Sequence, residues 1–104
     1  MRREITLSEF KEFCKGKNEV RYAPGWNHGS TDSVCEGNVE FDKIAISEGE
    51  RAIRMSAKYG SIRLNGVVNI EIATLIFGDT EVRVTCYDRK RHRATVTYIF
   101  FAPQ

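Results

Sequence analysis

Residues 81–101 read EVRVTCYDRKRHRATVTYIFF, and this stretch decides the fold. Val82, Val84 and Cys86 alternate with polar residues in its first half, and an alternation returns in its second half. Two alternating runs joined by a short polar link are typical of paired antiparallel strands. We therefore predict a long C-terminal β-hairpin, with Val84 and Val96 on its buried face.

The link between these two strands is crowded with positive charge. Its residues are Arg89, Lys90, Arg91, His92 and Arg93. Like charges at such close spacing repel one another, so folding stability alone gives little reason to cluster them. An acidic partner would give a reason, because cations on a β-ribbon can follow the phosphates of a nucleic acid. The alternative is a solvated hairpin tip whose charges keep sheet edges from pairing with other chains.

The basic link and its surroundings supply the predicted partner-binding residues. They are Arg83, Tyr87, Arg89, Lys90, Arg91 and Arg93, with Trp26 as a second anchor. Most of the cations are arginines, whose planar guanidinium suits bidentate contact with phosphate or carboxylate. An exposed tryptophan among small polar residues makes a good interface anchor. The alternative for Trp26 is that its ring packs on the core and holds its own loop in place.

A short helix is predicted near the N-terminus. Residues 6–9 fit the capping-box pattern, in which the Thr6 side chain accepts from the Glu9 amide and Glu9 reaches back. Phe10 and Cys14 share an apolar stripe at helical spacing. These signals place the helix over about residues 6–15. Because the helix is short, packing on a sheet would supply most of its stability.

From Val39 to the end of the hairpin the sequence predicts strands. Asn65-Gly66 is a dipeptide favoured in tight hairpin turns. The run from Val67 to Phe77 predicts a long strand covered on both faces, with a helix as the alternative. The fold class is therefore α+β: one short N-terminal helix packed on an antiparallel sheet of about five or six strands, ending in the long hairpin. The residues predicted to lie under the helix are Phe10, Phe41, Ile53, Met55, Ile70, Ile72, Val84 and Val96.

Length and composition bound the class of protein. The 104 residues predict a single domain, residues 1–104, with a net charge of +2. That figure conceals an asymmetry: residues 1–50 carry seven Lys/Arg against ten Asp/Glu, whereas residues 51–104 carry nine against four. The basic half is less cationic than many dedicated DNA-binding domains, so charge alone does not decide whether the partner is nucleic acid.

The expected compartment is the cytoplasm. Cys14, Cys35 and Cys86 are odd in number and lack the spacing of a disulfide framework or a zinc site, so no metal is expected. The N-terminus lacks the apolar core of a signal peptide. No apolar run approaches the roughly 20 residues needed to cross a bilayer, so no membrane contact is expected. No cofactor-binding motif is present either, and we expect no cofactor.

The loop from Gly25 to Asn38 carries the alternative hypothesis, a small enzyme. Its His28 would act as a base with Cys35 or Asp32 as its partner. A Cys–His pair requires the imidazole within hydrogen-bond reach of the sulfur, which proximity in sequence does not guarantee. The chain has no GxSxG, no HExxH and no phosphate-binding glycine-rich loop. The sequence therefore favours a protein that is not an enzyme.

The favoured hypothesis is a small binding protein that engages an acidic partner through the basic hairpin tip. The partner would be nucleic acid, or a protein or nucleoprotein that handles it. A compact chain of this size without an active-site motif also suits an inhibitor that blocks a larger machine by occlusion, such as a phage-borne anti-defence protein of the anti-CRISPR type. An uncovered edge strand would in addition allow homodimerisation.

Overall fold

The structure is a computed structural model, and it describes residues 2–15, 26–27, 42–57, 60–76 and 78–101. Within these ranges the chain forms one helix and eight strands. They are β1 (Arg2–Ile5), α1 (Leu7–Phe13), β2 (Trp26–Asn27), β3 (Lys43–Ser47), β4 (Ala52–Ala57), β5 (Gly60–Leu64), β6 (Val67–Thr74), β7 (Thr80–Asp88) and β8 (Arg93–Phe101). The predicted α+β class and its C-terminal β-hairpin are confirmed.

The strands form two antiparallel sheets, and the prediction of a single sheet is wrong. A five-stranded sheet has the order β1-β6-β7-β8-β2, and a three-stranded sheet has the order β3-β4-β5. Ile53 and Met55 of the smaller sheet share one buried cluster with Val82 and Val84 of the larger sheet. Each sheet therefore helps to cover the apolar face of the other, which one short helix could not do alone.

The connection between β5 and β6 explains the error. Asn65-Gly66 is not a hairpin turn, because β5 and β6 belong to different sheets. Gly66 has a φ of +67°, and its carbonyl accepts from the Tyr87 amide at 2.9 Å. A Cβ on Gly66 would lie 2.6 Å from the Tyr87 carbonyl oxygen, so glycine is required at this crossing. The chain thus passes from one sheet to the other directly beside the end of β7.

The helix begins as predicted and ends earlier, at Phe13. Thr6 is its N-cap: Thr6 Oγ1 accepts from the Glu9 amide at 3.1 Å, and Glu9 Oε1 accepts from the Thr6 amide at 2.9 Å. These hydrogen bonds hold the pKa of the Glu9 carboxyl below its usual value. Phe10 is fully buried, which contributes about 1.5–3 kcal/mol for a side chain of this kind. Its ring and that of Phe13 both meet Phe101 edge to face, so α1 packs on the end of the hairpin.

The buried face of β8 is the opposite of the predicted one. Val96 is only half-buried, whereas Thr97, Ile99 and Phe101 are buried. The register explains this, because Thr97 pairs with the fully buried Val84 and therefore shares its face. Apolar residues occupy both faces at the end of β8, so alternation in the sequence alone selects the wrong set.

The rest of the predicted core is largely confirmed. Its buried members are Phe10, Ile53, Met55, Ile70, Ile72 and Val84. Phe41 lies outside the described residues. The predicted strand over 67–77 ends at Thr74, and Val68 is 54% exposed beside a bulge between Val67 and Asn69. The prediction that this strand is covered on both faces is therefore wrong.

Candidate functional site

The basic tip, defined as Arg89, Lys90, Arg91, His92 and Arg93, lies at the turn between β7 and β8. The last pair of the strand ladder joins Asp88 to Arg93. Asp88 Oδ1 accepts from the Lys90 amide at 2.9 Å and from the Arg91 amide at 3.4 Å. A carboxylate that accepts from amides further along a turn fixes the backbone there. Asp88 thus sets the shape on which the cations are displayed.

His92 occupies the strained position of this turn. Its φ is +49°, in the left-handed region that costs an ordinary side chain about 1–2 kcal/mol. Its Nδ1 lies 3.5 Å from the hydroxyl of Tyr87, which is 40% exposed. The tip cations therefore lie beside an exposed aromatic residue, Tyr87. Its role in partner binding stays a prediction.

Most of the tip cations have no acidic partner in the described part of the chain. Arg91 Nε lies 3.9 Å from Asp88 Oδ2, which is a long contact between exposed groups. Among the residues that the structure describes, no carboxylate forms an ion pair with Arg89, Lys90 or Arg93. All of these side chains are exposed. Solvent screens their mutual repulsion, and the same exposure makes them accessible to a partner.

Arg83 does not belong to the basic tip. It alternates with buried residues of β7 and so lies on the face of the sheet away from the core. Its Nε donates to Glu81 Oε1 at 3.3 Å, and its guanidinium lies 5.2 Å from the centre of the Tyr98 ring. Arg2 pairs with the same Glu81 carboxylate at 2.7 Å. We call Arg2, Glu81, Arg83 and Tyr98 the root cluster, and within it Arg83 has a carboxylate partner, Glu81, which it shares with Arg2.

Strand register brings the root cluster together. Arg2 of β1 stands opposite Ala73, and Ala73 stands opposite Glu81. The small Ala73 side chain leaves room for the Arg2 guanidinium to reach across β6 to Glu81. Sequence reasoning missed this partner, because β1 is mostly charged and carries no strand signal of its own. The one apolar residue of β1 is Ile5, which pairs with Ile70. In the sequence, Ile5 alone hinted at a strand here.

A cleft of about 710 Å³ opens between the basic tip and the β5–β6 connection, and we call it the tip cleft. Leu64, Cys86 and Thr97 line it and are themselves buried, so they form its floor. Asn65 and Gly66 line it from the connection, and the four Lys/Arg side chains of the tip line it from the hairpin. Sequence reasoning missed the cleft, because it exists only through the crossing between the two sheets.

The walls of the tip cleft are cationic and its floor is neutral. Among the described residues, its lining contains five Lys/Arg side chains and one carboxylate, that of Asp88. Of these five cations, Arg63 lies outside the tip; it donates to Glu50 and, through Nε, to Asn65 Oδ1 at 2.7 Å. Burial raises the pKa of the Cys86 thiol to about 11, so the thiol is uncharged at neutral pH. Such a site suits a ligand with an anionic end and an apolar body.

The predicted second anchor and the loop of the enzyme hypothesis are only partly described. The backbone of Trp26 pairs with Thr97 at the edge of the five-stranded sheet, so it lies next to a residue of the tip cleft. His28, Asp32 and Cys35 lie outside the described residues. The enzyme hypothesis therefore stays a prediction.

Two other features were sought in the part of the chain that the structure describes, a metal-binding cluster and a membrane-spanning helix. No group of three or more His, Cys, Asp or Glu side chains there is placed to hold a metal ion. The described helix is too short and too polar to cross a membrane. Comparison of the chain with family models, with curated proteins and with solved structures found no match.

Proposed function

We propose that this chain is a non-enzymatic binding protein that engages an acidic macromolecule through the basic tip. The observation that supports it is a contrast in pairing. Arg83 of the root cluster has a carboxylate partner, which it shares with Arg2, whereas Arg89, Lys90 and Arg93 have none among the described residues. An anionic partner would supply the tip cations with the negative charge that Glu81 supplies to Arg83 at the root.

The cost of leaving the tip cations unpaired is small, and the gain from an anion is larger. Two unit charges about 6 Å apart in water repel by roughly 0.7 kcal/mol before salt screening. A charge-assisted hydrogen bond to phosphate or carboxylate contributes about 1.5–3 kcal/mol where it is made. The free protein therefore tolerates unpaired cations at the exposed tip, and several such contacts together would still give tight binding of a partner.

Fluorescence anisotropy with labelled single-stranded DNA, duplex DNA, RNA and polyglutamate tests this proposal. The tip variant combines Arg89→Gln, Lys90→Gln and Arg93→Gln. We expect the wild type to bind at least one probe at low salt. We expect the tip variant to bind that probe on the order of 100-fold more weakly, because about 1 kcal/mol is lost with each contact.

The matched control combines Arg3→Gln, Lys15→Gln and Lys43→Gln, which removes the same charge from exposed positions outside the tip and its cleft. If net charge alone attracted the probe, control and tip variants would lose the same affinity. We expect the control variant to lose less than about threefold. Equal losses in the two variants, or no binding of any probe by the wild type, would show the proposal to be wrong.

Two further hypotheses stay predictions. The occluding-inhibitor role depends on the size and class of the chain, and no described residue bears on it. The enzyme hypothesis is separated from binding by His28→Ala and Cys35→Ala, which should leave the affinity for the anionic probe unchanged. Loss of probe binding in those variants would instead place the 25–38 loop at the interface.

A further inference from the structure

We infer that the tip cleft is a nucleotide pocket, which holds the base of one nucleotide on its floor and the attached phosphate against the basic tip. This inference rests on the proposed function, because it identifies the acidic group that the tip binds as a nucleotide phosphate. The ligand would be either a free nucleotide or an unpaired nucleotide of a single strand. Size, floor, wall and direction of the cleft each support it.

The size of the cleft favours a nucleotide over an acidic side chain. Its volume of about 710 Å³ lies within the range of roughly 300–1,000 Å³ that is usual for small-molecule sites. An Asp or Glu side chain from a protein partner would occupy a small part of that space and leave the rest wet. A base with its sugar and phosphate is a ligand of the size that such clefts enclose.

The floor of the cleft suits a flat, mostly apolar ring. Leu64 and Cys86 present apolar surface, and both are less than a tenth exposed. Thr95 and Thr97 belong to the same lining, and a threonine hydroxyl can bond to the edge of any base. A purely anionic ligand such as inorganic phosphate would gain nothing from this floor. The floor therefore selects for a ligand that joins an apolar ring to its charge.

The cations give the cleft a direction. Arg89, Lys90 and Arg93 lie on the hairpin side without a carboxylate partner among the described residues. Arg63 lies toward the β5–β6 connection and is already engaged by a carboxylate and by Asn65. Phosphate is therefore favoured at the hairpin side, and the base at the side of the connection.

Asn65 adds a group suited to a base at that side. Its Oδ1 accepts from Arg63 Nε at 2.7 Å, so the NH2 group is what Asn65 has left to donate. A base edge offers ring nitrogen and carbonyl acceptors at the distances that an amide donor needs. The bond to Arg63 also holds the amide in one orientation, which is the kind of positioning that a specific site requires.

Amide NMR spectra of the isotope-labelled protein, titrated with defined probes, test the inference. The probes are adenosine 5′-monophosphate, adenosine, inorganic phosphate and a short oligoadenylate. We expect the monophosphate and the oligoadenylate to shift the amides of Gly66 and Cys86 together with that of Lys90. Inorganic phosphate should shift Lys90 alone, and adenosine should bind at least about tenfold more weakly than its monophosphate.

The same titration identifies the source of the nucleotide. Tighter binding of the oligoadenylate than of the monophosphate supports capture from a single strand, because cations outside the pocket would contact flanking phosphates. Equal or tighter binding of the monophosphate supports a free nucleotide. Shifts at Lys90 without shifts at Gly66 and Cys86 would overturn the inference and leave the proposed function intact. No shift with any nucleotide would also overturn it.

A filled cleft provides the second test. Thr95 pairs with Cys86 and so projects on the side of the floor, whereas Thr85 of the same sheet projects on the opposite side. Thr95→Phe should lower the oligoadenylate affinity at least about tenfold, and the control Thr85→Phe should not change it. Full affinity of a folded Thr95→Phe protein would overturn the inference. If Thr95→Phe does not fold, the wild-type titration decides the question by itself.

Discussion

The two ends of the β7–β8 hairpin differ in whether their cations have carboxylate partners. At the root, Arg83 shares the Glu81 carboxylate with Arg2 and lies over the ring of Tyr98. At the tip, about six residues or roughly 20 Å further along the strand, most of the cations lack any carboxylate partner within the described chain. The comparison shows that charge density in a sequence does not distinguish a cation that the fold pairs with a carboxylate from one that it leaves without such a partner among the described residues.

Burial explains the difference. The Glu81 side chain is only 13% exposed, and a charge taken out of water is costly unless it is paired. The contacts of Glu81 in the root cluster should therefore contribute to the stability of the fold. At the exposed tip, water and salt screen the cations, so that the fold tolerates them without partners. Stability should thus depend on the root, and binding on the tip.

The largest expected effect is on binding, in the tip variant. Removal of the charges of Arg89, Lys90 and Arg93 should lower affinity for the anionic probe on the order of 100-fold, as argued above. The free energy of unfolding in urea should stay within about 0.5 kcal/mol of wild type, because these three side chains form no ion pair with any described carboxylate. If the free energy of unfolding fell by as much as the free energy of probe binding, the tip would be a structural element like the root, and the distinction between them would be wrong.

The next effect is on stability, at the root. Glu81→Gln removes the charge that both Arg2 and Arg83 contact, and it should lower the free energy of unfolding by about 2 kcal/mol. Urea denaturation measures this, with Glu4→Gln as a control at an exposed carboxylate of β1. Probe binding should be unchanged in both variants. A strong loss of probe affinity in Glu81→Gln would mean that root and tip act as one surface.

A smaller effect is expected at Asp88, the last residue of β7 before the tip. Asp88→Ala removes the acceptor for two turn amides and should cost about 1 kcal/mol of stability. Asp88→Asn keeps an oxygen acceptor and removes the negative charge, so it should retain stability and raise affinity for anions by about two- to fivefold. Lower affinity in Asp88→Asn would indicate that the carboxylate itself contacts the ligand.

The smallest effect is expected at His92. Glycine adopts a positive φ freely, so His92→Gly should raise the free energy of unfolding by about 0.5 kcal/mol after the added entropy of the unfolded chain is counted. Arg51 has the same φ of 49° in another turn, so Arg51→Gly is the matched control. It should raise the free energy of unfolding by the same amount. Affinity should stay within about twofold in both. A selective loss in His92→Gly would assign the imidazole to the interface.

Local signals in the sequence were enough to predict the elements that depend on neighbouring residues. The capping box of Thr6 and Glu9 forms as the spacing indicates. The alternation of Val82, Val84 and Cys86 marks the core face of β7 correctly. In each case the deciding contacts lie within a few residues of one another, so a local pattern carries the information.

The errors occur where distant parts of the chain decide the outcome. Asn65-Gly66 has the composition of a hairpin turn, yet packing of two sheets makes it a crossing. Val96 alternates correctly, but pairing with β7 buries the other face of β8. The sharing of the Glu81 carboxylate between Arg83 and Arg2 depends on β1, at the far end of the chain. The tip cleft likewise depends on the crossing, and no local pattern could have revealed it.

The most direct test of the account follows individual arginines during binding. NMR spectra of the arginine Nε–Hε groups, recorded while the most tightly bound polyanion is added, report on the root and the tip in one experiment without any substitution. We expect the signals of Arg89 and Arg93 to shift with the added polyanion and those of Arg2 and Arg83 to stay in place. Shifts at Arg83 as large as those at the tip, or an unresponsive tip, would contradict the account.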